Sequence, residues 1–330
     1  MILDERLRWI GFWMLDKMKG GKIREYYDQI RYAWKEGSSI EETDKRIRDL
    51  IAHAVRTTDF YKDYPEDIAL RDLPVVNKDT FRQQYDRFIS STYKDAPDNR
   101  VMCTSGSTRT PLRMIQNRDK IRHNTAGGIL LGAAAGYYIG MKEAFIRVWV
   151  NNVRKSKFQL IQENMIMMDS SRMDEKALSE MFRTIEKKKV KCLVGYSSAL
   201  GELSDYIRKS GTDCSNCSVR AIIPISETMP EPVRRTLEKQ FGCPVRAWYS
   251  NEENGIMGLQ NEENEGYHID TETYYYEILK MDCDEPAEPG ELGRIVITDL
   301  FNYAFPILRY DNGDTAVSAK KKTDVSSCIC

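Results

Sequence analysis

Between about residue 140 and residue 250 the chain alternates short apolar runs with helical ones, and this pattern constrains the fold more than any other feature of the sequence. Residues 144–150 (AFIRVWV) read as a strand, and 174–188 as a polar helix with Leu178, Met181, Phe182 and Ile185 on one face. Residues 191–194 (KCLV) give a second strand, a helix follows over 198–208, and 219–223 (VRAII) give a third strand. Pro230 and Pro232 suit the first turn of the next helix, whose Val233, Leu237 and Phe241 end at Gly242. Residues 245–248 (VRAW) read as the strand after it. Strand, helix, strand, helix, strand implies right-handed crossovers and a parallel sheet, so the fold class is α/β.

The flanks differ in texture. In the first hundred residues Ile47, Leu50, Ile51, Ala54 and Val55 recur at helical spacing, and Leu7, Trp9 and Trp13 mark another amphipathic segment. The bases around that segment (Arg6, Arg8, Lys17, Lys19, Lys22 and Arg24) suit an anionic membrane surface, although a helix packed on its own domain is the plainer reading. Residues 72–78 (DLPVVNK) read as a connection into the next layer. After Glu252 the pattern turns to short antiparallel elements, with strands over 274–281 and 294–298 joined through Pro286, Pro289 and Gly290. The expected organisation is a helical part over 1–100, an α/β nucleotide-binding core over 101–260 and an antiparallel part over 261–330.

Composition excludes several classes. The 49 basic and 50 acidic side chains leave a formal charge of −1, which argues against bulk electrostatic binding of nucleic acid. The apolar fraction of 41% in 330 residues supports a sizeable core and excludes disorder. The longest uncharged stretch, His123 to Met141, carries His, Asn and many small residues, so it reads as a buried helix rather than a membrane span. The N-terminus, MILDERLR, lacks the character of a secretory leader, and eight unevenly spaced cysteines make no disulfide framework. A reduced, cytoplasmic protein is expected.

In a parallel sheet, ligands bind beyond the carboxyl ends of the strands. Three such ends carry polar or small residues here: Gly195-Tyr196-Ser197-Ser198, Pro224-Ile225-Ser226-Glu227-Thr228, and Tyr249-Ser250-Asn251-Glu252-Glu253-Asn254-Gly255. Earlier, Thr104-Ser105-Gly106-Ser107-Thr108-Arg109-Thr110-Pro111 follows the apolar Val101-Met102-Cys103. Clustered hydroxyls around a glycine let N–H and O–H groups converge on phosphate oxygens. The Gly-Lys-Ser/Thr ending of a Walker loop is missing. On composition alone a plain Ser/Thr turn and a phosphate cradle both stand.

The segment Thr104-Ser-Gly-Ser-Thr-x-x-Pro resembles the phosphate-binding signature of the acyl-adenylate-forming (acyl-CoA synthetase) superfamily. With the run from Tyr249 to Gly255, Gly290-Glu-Leu-Gly-Arg-Ile-Val-Ile-Thr298 and Pro306-Ile-Leu-Arg-Tyr-Asp-Asn-Gly-Asp314, the chain is similar to the phenylacetate–coenzyme A ligase family, in particular its capsular-polysaccharide (CapK-type) branch. The order and spacing of these motifs are more specific than any one of them, and the resemblance runs from about residue 5 to the last residue. The resemblance implies the large N-terminal domain of that superfamily. It also implies an enzyme that joins a carboxylate to ATP, releasing pyrophosphate, and then passes the acyl group to a thiol or an amine.

By the same resemblance Thr104, Ser105, Gly106, Ser107 and Thr108 would line the ATP phosphates, and Glu253 would hold Mg²⁺, with Thr108 and Glu253 the catalytic residues. Tyr249 would lie beside the adenine or phosphate, Ser226 and Glu227 on the adenine side, and Asp314 on the ribose hydroxyls, which a carboxylate accepts well. Tyr196 and Ser197 would form the acyl-substrate wall. Adenylation needs charge stabilisation at phosphorus and at pyrophosphate rather than a general base, because the substrate carboxylate is itself the nucleophile. The implied cofactors are ATP and Mg²⁺. The implied partners are a small carboxylic acid and a CoA or amine/sugar acceptor, with peripheral association to membrane polysaccharide machinery and no nucleic acid.

The chain departs from the family pattern at several positions. Arg109 replaces a usual Gly; where that position needs φ > 0 the loop is reshaped at some cost, the alternative being that Arg109 supplies charge to pyrophosphate. Ser250 replaces a Gly, Glu252 a Ser or Thr, and Ile225 a Gly. Relatives continue into a mobile C-terminal domain of roughly a hundred residues that carries the adenylation lysine, an ordinary small-domain size. This chain stops at Ser327-Cys-Ile-Cys330, about where that domain would begin, so it is expected to bind nucleotide better than it turns over. A non-catalytic nucleotide-binding scaffold in a polysaccharide-assembly complex is the alternative. Some relatives carry a zinc site; here His268, Cys328 and Cys330 remain, Gln260 and Asn261 fall where its first Cys would be, and Cys214-x-x-Cys217 is one pair against the four ligands of structural zinc, so free cysteines are expected.

Overall fold

The computed structural model describes residues 3–103, 112–149, 154–261 and 266–317. In chain order the helices are α1 (Leu3–Met18), α2 (Lys22–Glu36), α3 (Ile40–Thr57), α4 (Lys78–Gln83), α5 (Tyr85–Phe88), α6 (Arg118–Ala134), α7 (Lys157–Glu163), α8 (Glu175–Lys187), α9 (Ser197–Ser210) and α10 (Glu231–Phe241). The strands are β1 (Val76–Asn77), β2 (Arg100–Cys103), β3 (Arg113–Gln116), β4 (Glu143–Arg147), β5 (Met165–Asp169), β6 (Cys192–Tyr196), β7 (Ala221–Ile225), β8 (Trp248–Asn251), β9 (Gly255–Gln260), β10 (Tyr267–Ile269), β11 (Tyr274–Leu279), β12 (Leu292–Asp299) and β13 (Tyr310–Val317). The chain divides into two compact units, each assembled from separated stretches. The first is Met1–Gly21, Ile129–Ser250 and Leu259–Asn264; the second is Lys22–Gly128, Asn251–Gly258 and Glu265–Cys330.

The first unit is built on a parallel sheet in the order β5-β4-β6-β7. Leu193 lies opposite Ala144 on one side and Ile222 on the other. These buried strand residues pack with Leu178, Phe182 and Ile185 of α8 and with Leu200, Leu203 and Ile207 of α9. Local chemistry sets the helix ends. The Asp174 carboxylate accepts from the Ala177 N–H at 3.0 Å, and Gly211 and Gly242 close α9 and α10 in the left-handed conformation. Gly195 has another reason to be glycine: a Cβ there would lie 2.8 Å from the Ile146 carbonyl oxygen of the neighbouring strand.

Two elements of this unit differ from the sequence reading. Val245 forms only an isolated parallel bridge to Ile222 instead of opening a strand. The backbone there is drawn elsewhere, because Ala247 accepts from the Gln260 N–H at 2.8 Å and donates to the Gln260 side chain at 3.3 Å. The edge strand β5 has the sequence MIMMD, whose unbranched methionines carry no alternating signal.

The second unit holds a sheet in the order β1-β13-β12-β11. β12 runs antiparallel to β11 and β13, as the sequence suggested for this region, while β1 pairs in parallel with β13, Val76 opposite Tyr310. Leu50, Ile51 and Ala54 of α3 share one core with Tyr61, Phe81, Phe88, Phe305, Leu308 and Tyr310. Aromatic rings close that core, with centroids 4.8 Å apart for Phe81 and Phe88 and 5.1 Å for Phe81 and Tyr310. The helical part from Lys22 onward and the antiparallel part, separate in the sequence reading, thus share this unit, while residues 1–21 belong to the first.

Glu143, at the start of β4, is buried, and desolvation raises its carboxyl to about 7, opposed by a hydrogen bond from Tyr137 and by the Lys155 charge. A carboxyl raised on folding holds its proton in the folded state where the unfolded state has lost it, so stability falls as pH rises from the ordinary carboxyl value to about 7. Glu143→Gln should therefore gain up to about 3 kcal/mol over the wild type at pH 8 and almost nothing at pH 4.5, read from urea unfolding at the two pH values.

Candidate functional site

In the first unit the structure brings Tyr196, Ser197, Ser226 and Glu227 together at the carboxyl ends of β6 and β7. Tyr196 is the residue before α9 and offers no side-chain cap. Glu227 supplies it instead: its carboxylate accepts from the Ser198 N–H at 3.0 Å, and its backbone carbonyl accepts from the Ser197 hydroxyl at 2.7 Å. A carboxylate at a helix N-terminus is favoured by the orphan N–H groups there. The Tyr196 ring lies 5.9 Å from the Arg147 guanidinium, which also approaches Phe145 and Trp149 at 5.7 Å. Ser226 adopts φ 68°, so the left-handed position of this turn is Ser226, and Ile225, where the family has Gly, is an ordinary buried strand residue. Tyr249 lies half-buried in β8.

The second unit holds Glu253 and Asp314. Glu253 is 2% exposed, and its Oε1 lies 2.7 Å from the ammonium of Lys78, the first residue of α4. Asn77 fixes the start of that helix with a reciprocal capping box to Thr80. The Tyr310 hydroxyl hydrogen-bonds Glu253; burial pushes this phenol up, and the Glu253 and Asp314 charges push it further. Asp314 is exposed on β13, accepts from the Asn312 side-chain amide at 2.7 Å, and adds to the upward shift that burial gives half-buried Tyr267. Immediately before this strand, Arg309 takes φ 49° and buries its guanidinium against Glu277, at 3.1 Å, and the carbonyls of Arg71 and Leu73. It fixes the strand rather than facing a ligand.

The loop carrying Glu253 is held from below. The next residue, Asn254, accepts at its carbonyl from the Tyr274 hydroxyl at 2.6 Å, and that hydroxyl accepts from the Lys120 ammonium at 2.9 Å. Lys120 in turn lies 2.6 Å from Asp299, both side chains fully buried. Desolvation pushes Lys120 down and Asp299 up, and the partner charge opposes it in each case. The Gln116 amide approaches the Glu253 carbonyl at 3.5 Å. Among the described residues the Asn254 side-chain nitrogen and oxygen and the Asn251 nitrogen are buried without a hydrogen-bond partner, a cost normally met where a ligand or water completes the set.

Thr104, Ser105, Gly106, Ser107, Thr108 and Arg109 lie outside the described residues, in the connection between β2 and β3, which pair antiparallel up to Cys103 opposite Arg113. Cys328 and Cys330 also lie outside them. Among the described residues no group of three or more His, Cys, Asp or Glu is placed to hold a metal ion. One buried carboxylate, Glu253, fits Mg²⁺ shared with phosphate oxygens rather than an all-protein cage. His268 stacks on Trp34 with centroids 3.6 Å apart, and burial pushes the Cys217 thiol up to about 12.

No protein-family model matches the chain. Protein CapK of Staphylococcus aureus is 23% identical over 315 residues, covering 90% of this chain and 67% of CapK. A phenylacetate-coenzyme A ligase of Thermus thermophilus is 29% identical over 128 residues, covering 38% of this chain and 28% of the ligase. A solved structure of a 2-hydroxyisobutyryl-CoA ligase, in complex with 2-HIB-AMP and CoA, superposes with a TM-score of 0.69 at 15% identity, over 86% of this chain and 65% of the ligase. The chain is similar in sequence to CapK and to the phenylacetate-coenzyme A ligases. Its fold is that of acyl-adenylate-forming CoA ligases, and it spans about two thirds of the length of CapK and of the solved ligase.

The sequence reading missed Lys78 and Lys120. The first lay in a segment read as a mere connection, and the second in a helix read as an uncharged buried run beginning three residues later. Two stability predictions follow from these contacts. Lys120→Met leaves Asp299 buried and unpaired and should cost about 3–5 kcal/mol in urea unfolding, most of it recovered in Lys120→Met/Asp299→Leu. Ser226→Gly relieves the left-handed strain and should stabilise by about 1 kcal/mol, read as a raised Tm.

Proposed function

We propose that the chain is the nucleotide-binding body of an ATP-dependent carboxylate-activating enzyme. The reaction joins a small carboxylic acid to ATP, forms the acyl-adenylate with release of pyrophosphate, and passes the acyl group to CoA or to an amine, including an amine on a cell-surface sugar. The observation that carries this reading is Glu253: a carboxylate withdrawn from water, beside a lysine and a tyrosine, in the Tyr249–Gly255 motif that resembles the family's metal-holding segment. Burial of an anion is costly unless a cation meets it, and this position meets one already in Lys78.

Mg²⁺, when bound, supplies charge neutralisation for the phosphates. Glu253 is the residue to hold it, and Lys78 adds a second positive charge at the same carboxylate. Asp314, exposed on β13, offers its oxygens to the ribose hydroxyls. Thr104–Thr108, with Arg109, are proposed for the phosphates, Tyr249, Ser226 and Glu227 for the adenine side, and Tyr196 and Ser197 for the acyl group. The CapK relative supports a setting in capsular or exopolysaccharide biosynthesis only through its name. The 2-hydroxyisobutyryl-CoA ligase, bound to an acyl-AMP and CoA, supports ATP as the activating substrate and CoA as one acceptor.

Calorimetric titration of the chain with ATP and Mg²⁺, with and without a panel of small carboxylic acids, tests the proposal. Saturable binding that tightens with one acid is the expected result. Glu253→Gln and Asp314→Ala should each weaken Mg·ATP binding about tenfold or more, the loss of one charged contact, and Lys78→Ala should weaken it as well. Unchanged affinity in both Glu253→Gln and Asp314→Ala removes the site assignment. No binding at millimolar nucleotide favours the scaffold reading.

A further inference from the structure

Helix α1 is turned inside out. Its acids face inward: Glu5 and Asp16 are buried, and the Glu5 carboxylate lies 2.5 Å from the Lys191 ammonium. Its aliphatic residues face outward. Leu3, Leu7, Ile10, Met14 and Met18 recur at three- or four-residue spacing along one stripe, with Leu7 59%, Met14 60% and Met18 81% exposed. Such an outward apolar stripe is what a chain with no use for it removes. Phe158 and Ile161 of α7, in the same unit, are 74% and 67% exposed. The α7 end is tied beside α1 because the Arg8 guanidinium donates to the Ile161 carbonyl at 2.6 Å.

The charge around this apolar surface has one sign. Every acid on the two helices is committed within the unit: Asp4 to Arg8 at 3.2 Å, Glu163 to Lys155, and Glu5 and Asp16 to the interior. Arg6, Lys17, Lys19, Arg154 and Lys157 are exposed and engage no ion pair among the described residues. No helix among them is long and apolar enough to cross a membrane.

We infer that the α1–α7 face docks on the surface of an anionic lipid bilayer, with α1 lying in the interface and its Leu7–Met14 stripe entering the acyl boundary. A stripe of aliphatic residues rimmed by bases is the arrangement that binds this kind of surface, apolar burial and headgroup attraction acting together. A second copy of the chain fits less well. It would bring one basic rim against another with no acid to answer it, whereas anionic headgroups supply the missing charge. The inference does not depend on the proposed reaction, and none of these residues belongs to the proposed nucleotide site.

The test is flotation of the full chain with vesicles of phosphatidylglycerol and phosphatidylethanolamine, and with vesicles of phosphatidylcholine alone. The chain should float with the anionic vesicles and stay behind with the neutral ones. Arg6→Gln/Lys17→Gln should weaken binding roughly tenfold or more, at about 1 kcal/mol for each base near the surface. Leu7→Ser/Met14→Ser should weaken it roughly tenfold or more through lost apolar burial. All four side chains are exposed, and circular dichroism melts check that the fold survives. A chain that stays off anionic vesicles overturns the proposal, as does one whose variants float as well as the wild type. A dimer in analytical ultracentrifugation that Leu7→Ser/Met14→Ser dissolves, without vesicle binding, assigns the face to a second copy and overturns it equally.

Discussion

The fully buried pair of Lys120 and Asp299 is the interaction on which the second unit's architecture turns. Two charges removed from water are favourable only if each keeps its partner and its remaining hydrogen bonds, so their surroundings have little freedom. The Lys120 ammonium spends one proton on Tyr274, which spends its own on the Asn254 carbonyl. Asp299 ends β12, Tyr274 begins β11, and Lys120 lies in the first turn of α6. A helix, two strands and the loop of Glu253 are thus referenced to one point. The carboxylate that the proposed chemistry needs in one place is held there by groups that take no part in it.

What the sequence made legible was what is decided locally. The helices α8, α9 and α10 could be read because apolar spacing, the Asp174 cap and the Gly242 stop act within a few residues of each other. The parallel sheet followed from their alternation. The strand expected over 245–248 was not decided locally: Ala247 exchanges its backbone bonds with Gln260, thirteen residues later, and a single bridge remains. The two-residue strand β1 carries no periodicity, and only its partner β13 makes it a strand. For the same reason Lys78 looked like the end of a linker.

The candidate site was legible as motifs and not as contacts. Glu253 stood out within a polar run, but nothing in that run announced that the carboxylate is buried or that Lys78 and Tyr310 meet it. Ser226 and Glu227 were named for a ligand, and the structure shows that both also do structural work, one by taking a strained turn and the other by capping α9. The amphipathic pattern of α1 was visible, while its orientation was not, because the sign of an amphipathic helix depends on what Lys191 offers to Glu5 from far along the chain.

The parallel pairing of Val76 with Tyr310 also fixes an order of assembly. During synthesis the strands β4 to β7 and the helices between them leave the ribosome as one continuous stretch with mostly near-neighbour contacts, and can close at once. The stretch from α2 to β3 cannot. Its aromatic residues Tyr61, Phe81 and Phe88 wait for Phe305 and Tyr310, which emerge much later along the chain. Until β13 emerges, the α3–β3 stretch therefore remains an uncovered half-core, and the yield of folded chain in a cell depends on how well that half is sheltered in the meantime.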